Sequence, residues 1–279
     1  MVLVGLIAEF ALVVGSMLLV ATIAIVGPHQ FVQSLKHPRG RVAAVTVPVG
    51  VVAVILAFRW LSRELLPWVS WRVVGIEITG HLWALEGTTV AVIQSLGGEV
   101  TTSLAVFVYI YGYAFLITFP LVAYYALEQP RALQQLLFAY GINYLVGLVF
   151  YVSTIAYGPR NTDHLVFQDL LYESMPHAAY LTNSVNENVN VFPSLHASLS
   201  MTVLLMALLT RSEYPLWVPV AVGLAPAVMF STMYLGIHWL TDVVAGAILA
   251  LFSVWVATYI VTNGPAVVRD GPAWVRGPN

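Results

Sequence analysis

Charge is what this sequence has least of. Only 9% of its 279 residues are Asp, Glu, Lys or Arg, against roughly 25% in a soluble domain. So few charges cannot solvate a globular surface, and 59% of the chain is hydrophobic, with a mean hydropathy of +0.85. The class that remains is an integral membrane protein. Cysteine is absent, which excludes disulfides and thiolate metal sites. No basic run offers a surface to nucleic acid, and a net charge of −2 points to no charged partner. The opening segment, MVLVGLIAEF, lacks the positive n-region of a cleaved signal, so it is expected to remain as a span.

What is present is a series of apolar segments. A membrane helix takes about 20 mostly apolar residues. Seven segments qualify, at about 2–26, 42–58, 101–126, 134–157, 194–210, 215–235 and 239–262. The expected fold is all-α: a polytopic membrane helical bundle of about seven transmembrane helices. Between the second and third spans the chain is apolar only in patches and carries Glu64, Glu77, Glu86 and His81. Trp60, Trp68, Trp71 and Trp83 suit the headgroup layer. One or two interfacial helices are expected there. A further span over 73–96 is the alternative, and its charges oppose it. The chain then divides into a two-span and interfacial region (1–100), a membrane core (101–262) and a short tail (263–279). The tail repeats GPAVVRD as GPAWVRG, and its Gly and Pro stop a helix.

The polar residues gather in a loop over 158–192, with Arg160, Asp163, His164, Asp169, Glu173, His177 and Glu187. A loop of that length is functional or disordered, and the motifs flanking it argue for function. Seven spans place Lys36, Arg39, Arg41, Arg131, Arg211, Arg269 and Arg276 on one side, and Arg59, Arg63, Arg72 and Arg160 on the other. The positive-inside rule assigns the first set to the cytoplasm, so the long loop is expected on the non-cytoplasmic face.

Three motifs converge on that face. In FPSLHASLSM, Pro193 suits a first helical turn. The amides from Ser194 onward then carry partial positive charge beside a hydroxyl and His196, which makes a seat for phosphate. The plainer alternative is a capping serine beside an interfacial histidine. In STMYLGIHWLTDVVAG, His238 and Asp242 stand four apart and share a face if the helix is continuous. Ser231, Tyr234 and Leu235 fall on about the same face. A carboxylate fixes the imidazole tautomer and leaves the other ring nitrogen to attack or to move a proton. The alternative is a polar pair closing a packing gap. In YGPR, Pro159 ends a span and Arg160 offers paired donors for phosphate, or else a membrane anchor. Together they describe a phosphoryl-transfer site with His196, His238 and Asp242 catalytic and Arg160, Ser194, Ser231 and Tyr234 on the substrate. Such a site calls for no metal and no cofactor. Asp163 with His164, the nearest other cluster, lacks the two-ligand helical spacing of a metal site.

PSLH followed downstream by S-x-x-Y-x-G-x-H-x-x-x-D-V-x-x-G resembles the type-2 phosphatidic acid phosphatase superfamily, over about residues 134–250. The resemblance implies a six-helix phosphatidic acid phosphatase-like core. It also implies that His238 takes the phosphoryl group as a phosphohistidine, Asp242 orients it and His196 protonates the leaving group. Ser194 and Arg160 would hold phosphate oxygens. Where the family pattern carries glycine, arginine, lysine and proline, this chain has Leu195, Thr232, Ser153 and Asn161. With AYGPR, these departures resemble the inositol phosphorylceramide synthase-like branch, which moves a phosphorylated headgroup from one lipid to an acceptor alcohol. The implied substrate is a phospholipid or polyprenyl phosphate in the bilayer. The implied acceptor is a polyol or other alcohol, or water if the protein is a lipid phosphatase. A non-catalytic phospholipid-binding protein would explain the missing cations but not the intact His196, His238 and Asp242. A vanadate-type haloperoxidase would carry more cations and a soluble body. Glycines 5, 15, 223, 236 and 246 permit close helix packing without fixing an oligomeric state.

Overall fold

The computed structural model describes residues 2–36, 38–163, 165–175, 190–266 and 268. Helices dominate because a backbone in lipid must satisfy its own hydrogen bonds. Helix α1 (Val2–Ala21) runs into a π turn (Thr22–Val26), followed by α2 (Pro28–Lys36) and α3 (Pro38–Leu61). Short pieces come next: α4 (Leu65–Val69), α5 (Thr79–Glu86) and α6 (Thr89–Ser95). Helix α7 (Glu99–Phe107) continues through a π turn (Val108–Gly112) into α8 (Tyr113–Ala126), and α9 (Arg131–Ser153) returns. After α10 (Leu170–Ser174) come α11 (Leu195–Leu209), α12 (Trp217–Tyr234) and α13 (Leu240–Asn263). Strands β1 (Ile76–Glu77) and β2 (Thr154–Ile155) pair in parallel, tying the interfacial region to the end of α9.

Among the described residues, six helical stretches are long and apolar enough to cross a membrane: Val4–Val26, Pro38–Leu61, Glu99–Ala126, Arg131–Ser153, Trp217–Tyr234 and Leu240–Asn263. The protein is therefore all-α, integral and multi-pass. The expected fifth span is shorter than the rest. Helix α11 has 15 residues, about 22 Å at 1.5 Å per residue, against a hydrocarbon core of about 30 Å. It packs against α8, α9, α12 and α13 and buries Leu199, Val203, Met206 and Ala207. A helix walled in by protein need not match the bilayer. Two of its buried hydroxyls bond inside the bundle: Asn143 of α9 donates to Thr202 at 3.0 Å and accepts from Ser198. Peripheral α1 and α3, by contrast, expose Val4, Leu12, Val54 and Phe58.

The stretch over 73–96 is not one helix, since Gly87, at φ 53°, separates α5 from α6. Trp60, Trp68 and Trp71 are exposed, as interfacial anchors would be. Trp83 is different from the expectation: it packs edge-on against Phe167 at 5.1 Å and Trp239 at 6.0 Å. It belongs to a small core with Leu82, Val90 and Ala156, because α5 folds inward over the start of α13.

Candidate active site

The chain ends α12 and begins α13 within a few residues, and that break makes the site. Gly236 takes φ 73°, a left-handed conformation that other residues adopt only with strain. The continuous helix expected here is therefore absent, and His238 lies in the connecting turn. Asp242 stands in the first turn of α13, where its Oδ2 accepts the Trp239 N–H at 2.9 Å and faces His238 Nδ1 at 3.4 Å. The four-residue spacing thus pairs the two groups across a helix start rather than along a helix face. Both are buried, and Asp242 Oδ1 has no partner among the described residues. Burial first, and the nearby Arg160 guanidinium second, push His238 down to about 3, while a backbone hydrogen bond to Val191 works against both. The imidazole is consequently neutral at ordinary pH.

Ser194 is the N-cap of α11: its Oγ accepts from the Ala197 amide at 3.2 Å. Pro193 therefore precedes the cap and does not fill the first turn. The Ser194 N–H donates to the Asp242 carbonyl at 3.0 Å, joining the two motifs main chain to main chain. Gly246, one turn beyond Asp242, permits this approach, because a Cβ there would strike the Ser194 carbonyl and crowd Ala197 at 3.1 Å. The positive end of α11 is thereby fixed beside the turn that carries His238 and Asp242. The His196 and His238 rings lie 5.9 Å apart between centroids. Tyr109 and Tyr113 flank His196 at 4.9 and 4.6 Å.

Arg160 is buried, not an exposed anchor. Its N–H donates to the Gly236 carbonyl at 3.0 Å, which fixes it to the turn carrying His238. Its Nη1 donates to Asp169 Oδ1 at 3.1 Å, and its guanidinium lies 4.5 Å from the Tyr172 ring centroid. Asp169 already neutralises part of the charge that phosphate would need.

Two of the expected substrate-binding residues turn elsewhere. The Ser231 hydroxyl donates to the Val228 carbonyl of its own helix at 2.7 Å. The Tyr234 hydroxyl meets Thr102 Oγ1 at 2.9 Å, beside Gly97. Both sit before the break at Gly236, so the face they share does not continue to His238. His164 lies outside the described residues, as does the segment 176–189 of the long polar loop.

Sequence reasoning missed the buttresses. The Glu86 carboxylate accepts the Leu240 and Thr241 amides at 2.8 and 2.5 Å, capping α13 from the interfacial region. Gln94 donates to the carbonyls of Gln168 at 2.8 Å and Tyr234 at 3.1 Å. Neither residue has a local motif. Tyr109 and Tyr113 did leave a signal, the run YIYGY, whose phenols need partners inside a membrane span.

The architecture and site define the class first: a polytopic membrane protein holding a histidine pair and a carboxylate at one end of an apolar bundle. The family model of the PAP2 superfamily matches residues 87–256, more than half of the chain. The chain belongs to that superfamily of membrane lipid phosphatases and phosphotransferases. The match includes Arg160, Ser194, His196, His238 and Asp242. No curated protein and no solved structure matches the chain.

Proposed function

We propose that this protein transfers a phosphoryl group, or a phosphorylated headgroup, out of a membrane lipid through a phosphohistidine at His238. The observation that carries this reading is the 5.9 Å separation of the His196 and His238 rings, with Asp242 on one of them. That distance lets one phosphorus centre touch both. Asp242 keeps the proton on Nδ1, and the Nε2 lone pair forms the N–P bond. The P–O bond to the lipid breaks, its electron pair stays on the leaving oxygen, and His196, which enters the step as imidazolium beside the anionic phosphate and leaves it neutral, supplies the proton. In the second step an acceptor hydroxyl gives its proton to His196 and attacks phosphorus. The N–P bond then breaks, returning the pair to His238. Arg160, Ser194 and the amides opening α11 hold the phosphate oxygens.

The acceptor is a polyol or other alcohol, as in inositol phosphorylceramide synthase-like transfer. Partly exposed Asp169 and the Tyr172 hydroxyl, both beside Arg160, support this reading, since they can bond a hydroxylated acceptor. The site opens on the non-cytoplasmic face, a reading supported by the arginine and lysine count of the loops. Two histidines fill the acid and base roles, so a chelator leaves turnover unchanged.

Purified protein in liposomes, given a headgroup-labelled phospholipid with and without inositol or another polyol, tests this. A new labelled product that requires the acceptor and vanishes in His238→Ala establishes transfer. Release that ignores the acceptor makes the protein a lipid phosphatase. No turnover, with equal lipid binding by wild type and His238→Ala, makes it a lipid-binding protein.

A further inference from the structure

Helix α13 begins just after the turn that carries His238, and its first amides need acceptors. A helix usually meets that need from its own flank. Here Asp242 takes one amide, that of Trp239 at 2.9 Å. The next two go to a separate element. Glu86, the last residue of α5, accepts the Leu240 amide on Oε2 at 2.8 Å and the Thr241 amide on Oε1 at 2.5 Å. Accepting on both oxygens takes a carboxylate. A carboxamide of the same shape would turn its NH₂ against one of the two N–H groups. The negative charge also suits the positive start of a helix.

The other flank of the turn is held by the neighbouring short helix. Gln94 of α6 donates to the Tyr234 carbonyl at 3.1 Å and to the Gln168 carbonyl at 2.8 Å, and accepts the Gln168 amide at 3.0 Å. It lies close to Gly236, where a Cβ would come within 3.2 Å of Gln94 Nε2. Residues 235–239, His238 among them, therefore run between two anchors supplied by α5 and α6. The His238–Asp242 contact is long at 3.4 Å, so the placement of the ring depends on how firmly this backbone is held. Glu86 itself lies outside the residues 87–256 that match the superfamily.

We propose that Glu86 is a positioning residue for His238: its carboxylate, reaching across from the interfacial region, fixes the start of α13 and so holds the imidazole where it meets the phosphorus centre. It acts through the backbone of residues 239–241. Without it the turn opens more often, and the ring spends less time in line with the lipid P–O bond. A displacement of about 1 Å at a reacting group can cost about 100-fold in rate. The inference deepens the phosphoryl-transfer reading and rests on it for the effect on turnover; the clamp on the turn rests on geometry alone.

The full-length protein in liposomes tests this with Glu86→Gln and Glu86→Asp. Glu64→Gln is the control, since Glu64 is an exposed carboxylate of the same region. The first readout needs no turnover. Diethyl pyrocarbonate modifies neutral imidazoles, and mass spectrometry compares the rate at His238 with the rates at His196, on α11, and at exposed His81. A buried ring reacts when its surroundings open. Losing a charge-assisted contact in Glu86→Gln should raise the rate at His238, relative to the other two, by about 10- to 100-fold. Glu86→Asp keeps both acceptor oxygens on a shorter arm and should fall between Glu86→Gln and wild type. The second readout is turnover of labelled lipid. Glu86→Gln should lower kcat by about 10- to 100-fold and leave KM within about threefold, and Glu64→Gln should change neither. An unchanged His238 rate in Glu86→Gln overturns the proposal. So does an equal rise at His196, which would mark opening of the whole site, or a rise in KM at constant kcat, which would put Glu86 on the substrate. Glu86→Asp no better than Glu86→Gln would take the role from the carboxylate and overturn it as well. A selective His238 response in a protein without turnover keeps the clamp and removes phosphoryl transfer. Turnover without that response removes the clamp alone.

Discussion

The two ends of the bundle treat buried polar groups in opposite ways. At the end away from the histidines, polar groups close helix ends. The Tyr214 hydroxyl donates to the Ala123 carbonyl at 2.9 Å and accepts from Gln30 at 3.0 Å. Tyr124 and Thr210 join at 2.9 Å, and Arg41 donates to the carbonyls of Tyr125, at 2.6 Å, and Leu127. These bonds satisfy carbonyls that a helix end leaves open. At the other end Arg160, His238 and Asp242 are buried with their charge or lone pairs only partly met. The His238–Asp242 contact is long at 3.4 Å, and one carboxylate oxygen is unpartnered among the described residues. One end is arranged for stability, and the other holds groups in a geometry that stability alone would not select.

Substitutions should therefore separate activity from stability according to the end they strike. The largest effect is expected for His238→Ala, which should lower turnover by at least about 10⁴-fold. His196→Ala, removing the acid and base, should lower it by about 10²–10⁴-fold. Single-turnover assays with labelled lipid measure both. Asp242→Asn comes next. It should lower kcat by up to about 10⁴-fold by releasing the tautomer, yet leave Tm unchanged or raised, because a buried carboxylate is gone. A clear drop in Tm would make Asp242 chiefly structural.

The pH response sharpens the same contrast. His238 is held at about 3 in the folded protein, against about 6.5 for an ordinary histidine. Below about pH 6.5 the unfolded chain takes up a proton that the folded site refuses, so stability falls as pH drops toward 3 and is insensitive to this group above 6.5. Thermal unfolding between pH 4 and 7 should show a shallower acid limb in His238→Ala than in wild type. Identical limbs would mean that the histidine is solvated. The smallest effect belongs to the far end. Tyr214→Phe should cost about 1 kcal/mol of stability and leave turnover within about twofold.

How much of this was legible beforehand depends on range. Hydropathy located the helices because a span is a local property; it ran past the end of α9, which stops at Ser153, and it counted as a span the short α11, whose length depends on the neighbours that enclose it. The identities of His196, His238, Asp242, Ser194 and Arg160 stood out as motif residues. The geometry of the His238–Asp242 pair did not, because the break at Gly236 turned an apparent helix face into a helix start. Arg160 stands out in the sequence as a phosphate ligand or a membrane anchor, and its ion pair is hidden there because Asp169 sits in an irregular segment with no period to read. Glu86 was invisible for a plainer reason: it caps Leu240 across 154 positions of sequence.

The central claim is that His238 carries the phosphoryl group. Protein mixed with a radiolabelled lipid phosphate and quenched in denaturant within one turnover should retain label that is stable to base and lost in acid. The label should map to the peptide containing His238 and be absent in His238→Ala. Turnover without such a label, or a label that survives His238→Ala, would contradict the account.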